Sequence, residues 1–114
     1  MGIDLECIRE DRGRAIQSQM TEREMILHRL LPCSESAGYT LLWTVKESLS
    51  KVLKCGLMTP FTVLEIDQID ASQKIWVSTF RNFSQYKALS QIRQDEVLSI
   101  TLPKRTELNL EISS

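Results

Sequence analysis

Cysteine is scarce, with three in 114 residues, at positions 7, 33 and 55. None belongs to a Cys-x-x-Cys pair, which excludes a disulfide scaffold, and scattered free thiols point to a reducing, cytoplasmic compartment. A single histidine cannot complete a zinc site with thiols placed so far apart. Four glycines and three prolines are too few for a collagen-like or low-complexity chain. Neither sign of charge is in excess. The 14 Lys and Arg against 15 Asp and Glu leave a net charge of −1, which argues against a dedicated nucleic-acid binder. No apolar run approaches the ~18 residues of a membrane span, and the first residues lack a signal-peptide pattern. What is present is the composition of a globular domain, 42% apolar and 25% charged. The length suits one domain over residues 1–114.

Residues 3–8 alternate and read as a short strand. Residues 9–14 are a charged turn. Thr21 and Glu24 fit a capping box that opens a helix, with Met20, Ile26, Leu27, Leu30 and Leu31 as its buried stripe and Pro32 as its stop. The longest helix is expected over about 36–54. Its inward face is Leu41, Leu42, Val45, Leu49, Val52 and Leu53, and Gly56 and Pro60 would end it. Trp43, Glu47 and Lys51 fall on another line of the same helix. Residues 61–67 and 74–80 read as strands by their β-branched and aromatic content. Residues 86–102 fit either a helix or two strands around a polar Arg-Gln-Asp-Glu turn, and 108–112 alternate as a strand. The expected fold class is α+β, an antiparallel sheet with two helices packed on one face.

Two short patterns carry chemistry. Asp4 and Glu6 stand two apart on a strand, so both carboxylates share a face, with Ile3, Leu5 and Cys7 expected to point into the core. Paired carboxylates suit Mg²⁺, which takes hard oxygen ligands; a solvated edge strand gives the same pattern. Glu47 and Lys51, four apart on the helix, are either a surface ion pair or an acid and a cation aimed at one site. His28 reads as an exposed helix histidine. Arg9, Arg12 and Arg14 read as a solvated turn or as phosphate or acidic-protein contacts.

Taken together, Gly-Ile-Asp-Leu-Glu (2–6), Trp-x-x-Lys-Glu-Ser-x-x-Lys (43–51) and Gly-Leu-x-x-Pro (56–60) resemble the phosphopantetheinyl transferase superfamily. The likeness is greatest to the second, C-terminal lobe of its Sfp-type branch and covers roughly residues 2–102. The resemblance implies Mg²⁺-dependent transfer of the phosphopantetheine arm of coenzyme A to a serine of an apo acyl or peptidyl carrier protein. Adenosine 3′,5′-bisphosphate is the other product. It implies that Asp4, Glu6 and Glu47 hold the metal and that Glu47 is the base for the serine hydroxyl. Lys46 and Lys51 would be motif lysines serving the coenzyme A phosphates. It also implies that 86–102 is a β-hairpin.

Sfp-type enzymes have two similar lobes with coenzyme A between them, and this chain resembles the second. The resemblance therefore implies either a homo-oligomer, as in the one-lobed holo-acyl-carrier-protein synthases, or a separate first lobe. A non-catalytic half-enzyme that binds carrier protein or a partner lobe, and a degenerate remnant, are the alternatives. The family's glycine three residues after the motif lysine is Lys54 here. A left-handed backbone there would cost roughly 1–2 kcal/mol.

Overall fold

The alternating N-terminal stretch forms a strand, β1 (Gly2–Cys7), in the computed structural model, which describes residues 1–54 and 59–105. A 3-10 turn at Glu10–Arg12 leads into the short helix α1 (Gly13–Gln17). Two longer helices follow, α2 (Glu22–Leu30) and α3 (Glu35–Leu53). The remaining described strands are β2 (Ile66–Asp70), β3 (Trp76–Phe80), β4 (Tyr86–Arg93) and β5 (Glu96–Pro103). The five form one antiparallel sheet in the order β1-β5-β4-β3-β2. This is the expected α+β class, with the helices on one face.

The capping box at Thr21 is present in both directions. Thr21 Oγ1 accepts from the Glu24 N–H at 3.2 Å, and the Glu24 carboxylate accepts from the Thr21 N–H at 2.9 Å. The expected stripe on α2 is only partly right. Met20, Leu27 and Leu31 pack on the core, but Ile26 and Leu30 are exposed. Glu24, not a leucine, leads the inward face, and positions 27, 28 and 31 follow it at helical spacing. That rotation leaves 26 and 30 on the solvent side.

Ser34 caps α3 by accepting from the Ala37 N–H. Leu41, Leu42, Val45 and Leu49 of α3 are fully buried, with Leu64, Ile66, Phe80, Ala88 and Val97 as their partners in the core. Between α3 and the sheet runs a seam of hydroxyls. Thr44 meets Ser99 at 2.9 Å, Ser99 meets Ser90 at 2.7 Å, and Ser48 meets Thr101 at 2.6 Å. Small side chains here let the helix lie close to the strands. At Gly2 even a methyl would collide with the Ser48 carbonyl oxygen and sit 2.9 Å from Val52 Cγ2. α3 ends with Lys54 in the left-handed conformation, φ 53° and ψ 31°. Gly56, the expected stop, lies outside the described residues, as does the expected strand at 108–112.

Two further expectations are corrected. The strand expected at 61–67 is a 3-10 turn at Phe61–Leu64 followed by β2. Pro60 fixes the backbone ahead of it, and Phe61 and Leu64 both turn inward at the i, i+3 spacing of that turn. The side chains of β1 are also reversed. Gly2 and Asp4 are buried and Glu6 half-buried, whereas Ile3 is 51% and Leu5 56% exposed, and Cys7 is exposed too. α3 lies along the carboxylate face of β1, so the apolar residues take the sheet face away from the described helices. The hairpin over 86–102 is confirmed as β4 and β5, joined through Gln94 at φ 46°.

Candidate functional site

β1 sits at one edge of the sheet, beneath α3. This brings the strand's carboxylates beside the helix line that carries Trp43, Glu47 and Lys51. Lys51 Nζ donates to Asp4 Oδ1 and to the Ile3 carbonyl oxygen, both at 2.9 Å. Asp4 itself is buried, and its second oxygen, Oδ2, is buried without a hydrogen-bond partner among the described residues. Glu6 is held by Arg12, whose Nη1 donates to Oε1 at 3.1 Å. The guanidinium carbon of Arg12 lies 5.8 Å from the centre of the Trp43 ring. Trp43 in turn packs on Phe61, ring centres 4.8 Å apart.

The electrostatics tie these groups together. Burial pushes the Glu47 carboxyl above its ordinary value, the negative charges of Asp4 and Glu6 push the same way, and Lys51 pulls against them. The Lys51 ammonium is held above its usual value, first by its hydrogen bond to Asp4 and also by the charges of Asp4, Glu47 and Glu6. Partial burial opposes this. Asp4, Glu6, Glu47 and Lys51 thus share one electrostatic neighbourhood. Beside them opens a cleft of about 660 Å³, lined by Gln19, Trp43, Glu47, Lys51, Lys54 and Phe61 among others. A larger cavity of about 910 Å³ lies at the start of α3, with Arg14, Cys33 and Tyr39 in its wall, and none of the motif residues lines it.

Lys46 is a correction. Its side chain is fully buried behind the cleft wall, paired with Glu24, Nζ to Oε1 at 2.8 Å, and donating to the Gln19 carbonyl oxygen at 3.4 Å. The ammonium also lies 5.2 Å from the centre of the Phe61 ring. Burial lowers its pKa against the pull of Glu24. Glu24 Oε2 accepts from the Ile66 N–H at 2.9 Å, so this carboxylate joins α2, α3 and β2. Lys46 is therefore absent from the cleft lining, where the expectation put it with Lys51. Its neighbour Glu47 faces the cleft because adjacent helix positions diverge by about 100°.

Sequence reasoning missed Arg12 as a partner of Glu6, Glu24 as a partner of Lys46, and Phe61 as a wall of the cleft. Glu24 is visible in sequence as a cap, but nothing local announces an ion partner 22 residues away. His28 is half-buried rather than exposed. Its ring stacks on Tyr39 at 3.9 Å, and Nε2 lies 3.0 Å from the Glu35 carbonyl oxygen. Neither partner lines the cleft.

Among the described residues, no three His, Cys, Asp or Glu side chains converge as a ready-made metal cage. Mg²⁺ does not require one, because it commonly takes one or two protein carboxylates and fills its shell with water and substrate phosphate. A buried, unbonded carboxylate oxygen on Asp4 and a half-buried Glu47 repelled by two other acids fit that donor set.

The family model of the 4′-phosphopantetheinyl transferase superfamily matches residues 1–101. The match takes in every motif residue discussed above and the sheet as far as Thr101. No curated protein matches the chain.

Proposed function

The chain belongs to the 4′-phosphopantetheinyl transferase superfamily, and from that premise we propose that it is a lobe equivalent to the C-terminal half of an Sfp-type enzyme. In this reading it transfers 4′-phosphopantetheine from coenzyme A to a serine of an apo acyl or peptidyl carrier protein, with Mg²⁺. The observation that carries the reading is the buried Asp4 Oδ2, unpartnered among the described residues, next to the cleft-lining Glu47 and Lys51.

Asp4 and Glu47 would hold the metal, and Glu6, paired with Arg12 here, would join them only on losing that pair. When bound, the metal supplies positive charge to the pyrophosphate of coenzyme A. Lys51, a half-exposed side chain on a flexible stem, adds a second positive charge to the same oxygens as the leaving group departs. Glu47 takes the proton of the serine hydroxyl. The serine oxygen forms the new bond to phosphorus, the pyrophosphate link breaks, and adenosine 3′,5′-bisphosphate leaves. Lys46 takes no part, being spent on Glu24.

The described residues give the cleft few cations of its own, chiefly Lys51 and Lys54. The reading therefore includes a second chain, either another copy or a separate first lobe. The sheet face away from the described helices, where Ile3 and Leu5 are exposed, is the surface it would cover.

The test is intact mass spectrometry of an apo carrier protein incubated with this chain, coenzyme A and Mg²⁺, with and without a separately supplied first lobe. The expected result is a gain of one phosphopantetheine in at least one arm, lost when Glu47 is replaced by Gln. A folded chain that yields no gain in either arm would overturn catalysis and leave the non-catalytic interaction module.

A further inference from the structure

Two of the three site carboxylates already have a cation of the protein's own. Asp4 has Lys51, and Glu6 has Arg12. The two pairings differ in kind. Lys51 bonds one oxygen of Asp4 and leaves the other buried and open. Arg12 reaches Glu6 from outside the motif helix. It comes from the 3-10 turn after β1, where its guanidinium is half-exposed and rests near the face of Trp43. Trp43 stands one turn before Glu47 on α3, so the guanidinium spans the strand acid and the helix line at once.

We infer that Arg12 is an internal counter-cation for Glu6, which competes with the divalent ion and is released when that ion binds. The inference rests on the metal reading above. A guanidinium does not give up its proton in proteins, so Arg12 leaves Glu6 only by moving. A dication at Glu6 repels it, and the half-exposed pair is weak enough to break. Once free, the positive side chain swings off the face of Trp43 toward solvent. Trp43 therefore senses whether Arg12 is docked, and Trp76 on β3 gives a steady background.

The experiment titrates magnesium chloride alone, at fixed ionic strength, into the full chain, reading both heat and tryptophan fluorescence. The proteins are the parent, Arg12→Gln, Arg12→Lys, Arg14→Gln, Glu6→Gln and the Glu6→Gln, Arg12→Gln double variant, each verified as folded by circular dichroism. Arg12→Gln is expected to bind Mg²⁺ about two- to fivefold more tightly than the parent, with Arg12→Lys between them. Arg14→Gln removes the same charge without touching Glu6 and is expected to match the parent. In the Glu6→Gln background, removing Arg12 should change nothing, which marks the effect as belonging to that pair. Mg²⁺ should shift the fluorescence of the parent but not of Arg12→Gln. Equal or weaker binding by Arg12→Gln, or a parent fluorescence that ignores Mg²⁺, would overturn the inference while leaving the metal reading in place. Mg²⁺ binding to none of the proteins would overturn both.

Discussion

Glu47 is the residue at which burial and charge act in the same direction. Its carboxyl has an ordinary value of 4.5 and is raised in the fold, by burial first and by Asp4 and Glu6 after it. A carboxyl raised in this way binds more protons folded than unfolded between the two values. Stability therefore falls as pH rises through that window, and the penalty persists above it. Without divalent ion, Glu47→Gln should be at least as stable as the parent at pH 7. That advantage should disappear once the pH is below the ordinary carboxyl value. Urea unfolding of both proteins at the two pH values checks the sign. Added Mg²⁺ should reverse the order at pH 7 by stabilising only the parent. Two periods, two on a strand and four on a helix, place Asp4, Glu6, Glu47 and Lys51 on two lines, but only the family resemblance brings the two lines to one site. Arg12 was not legible in the sequence, because no period joins it to Glu6 six residues earlier; only the turn at Glu10–Arg12 folds it back.

At the scale of the element, α3 does two things on neighbouring faces. One face carries Glu47 and Lys51 to the cleft, and the adjacent one buries Lys46 against Glu24. Glu24→Ala would strand a buried ammonium and remove the acceptor of the Thr21 and Ile66 N–H groups. The expected loss is about 3–5 kcal/mol, a large part of a domain's stability, measured by denaturant unfolding. Lys46→Met should cost less, since Glu24 keeps two backbone donors. The end of α3 offers the opposite change. Lys54 is left-handed, so Lys54→Gly should recover about 1 kcal/mol and raise the melting temperature by about 4 °C. The sequence shows that a glycine is missing there but not whether the backbone still turns; the φ of 53° shows that it does. On β1 the alternation locates the strand yet is symmetric between its two faces. The preference of apolar side chains for the core points one way, and the packing of α3 on the carboxylate face decides the other.

For the whole molecule, the ambiguous stretch at 86–102 shows where local reading stops. Its propensities fit a helix, but β5 is the strand that pairs with both β1 and β4, so only the complete sheet decides. The same sheet leaves Ile3 and Leu5 exposed on the side away from the helices. Replacing both with Gln should change the stability of the single chain by little, roughly 0.5 kcal/mol per site. It should at the same time abolish self-association or first-lobe binding in sedimentation velocity. Unchanged association in that variant would move the partner to another surface.

The hydroxyl seam between α3 and the sheet bears on how the domain responds to temperature. Thr44, Ser48, Ser90, Ser99 and Thr101 fill an interface that aliphatic side chains would otherwise occupy. Exposing polar surface lowers the heat capacity of unfolding, whereas exposing apolar surface raises it. The curve of stability against temperature is therefore flatter than the leucine core alone would produce. For the same maximum stability, the domain's warm and cold limits lie further apart.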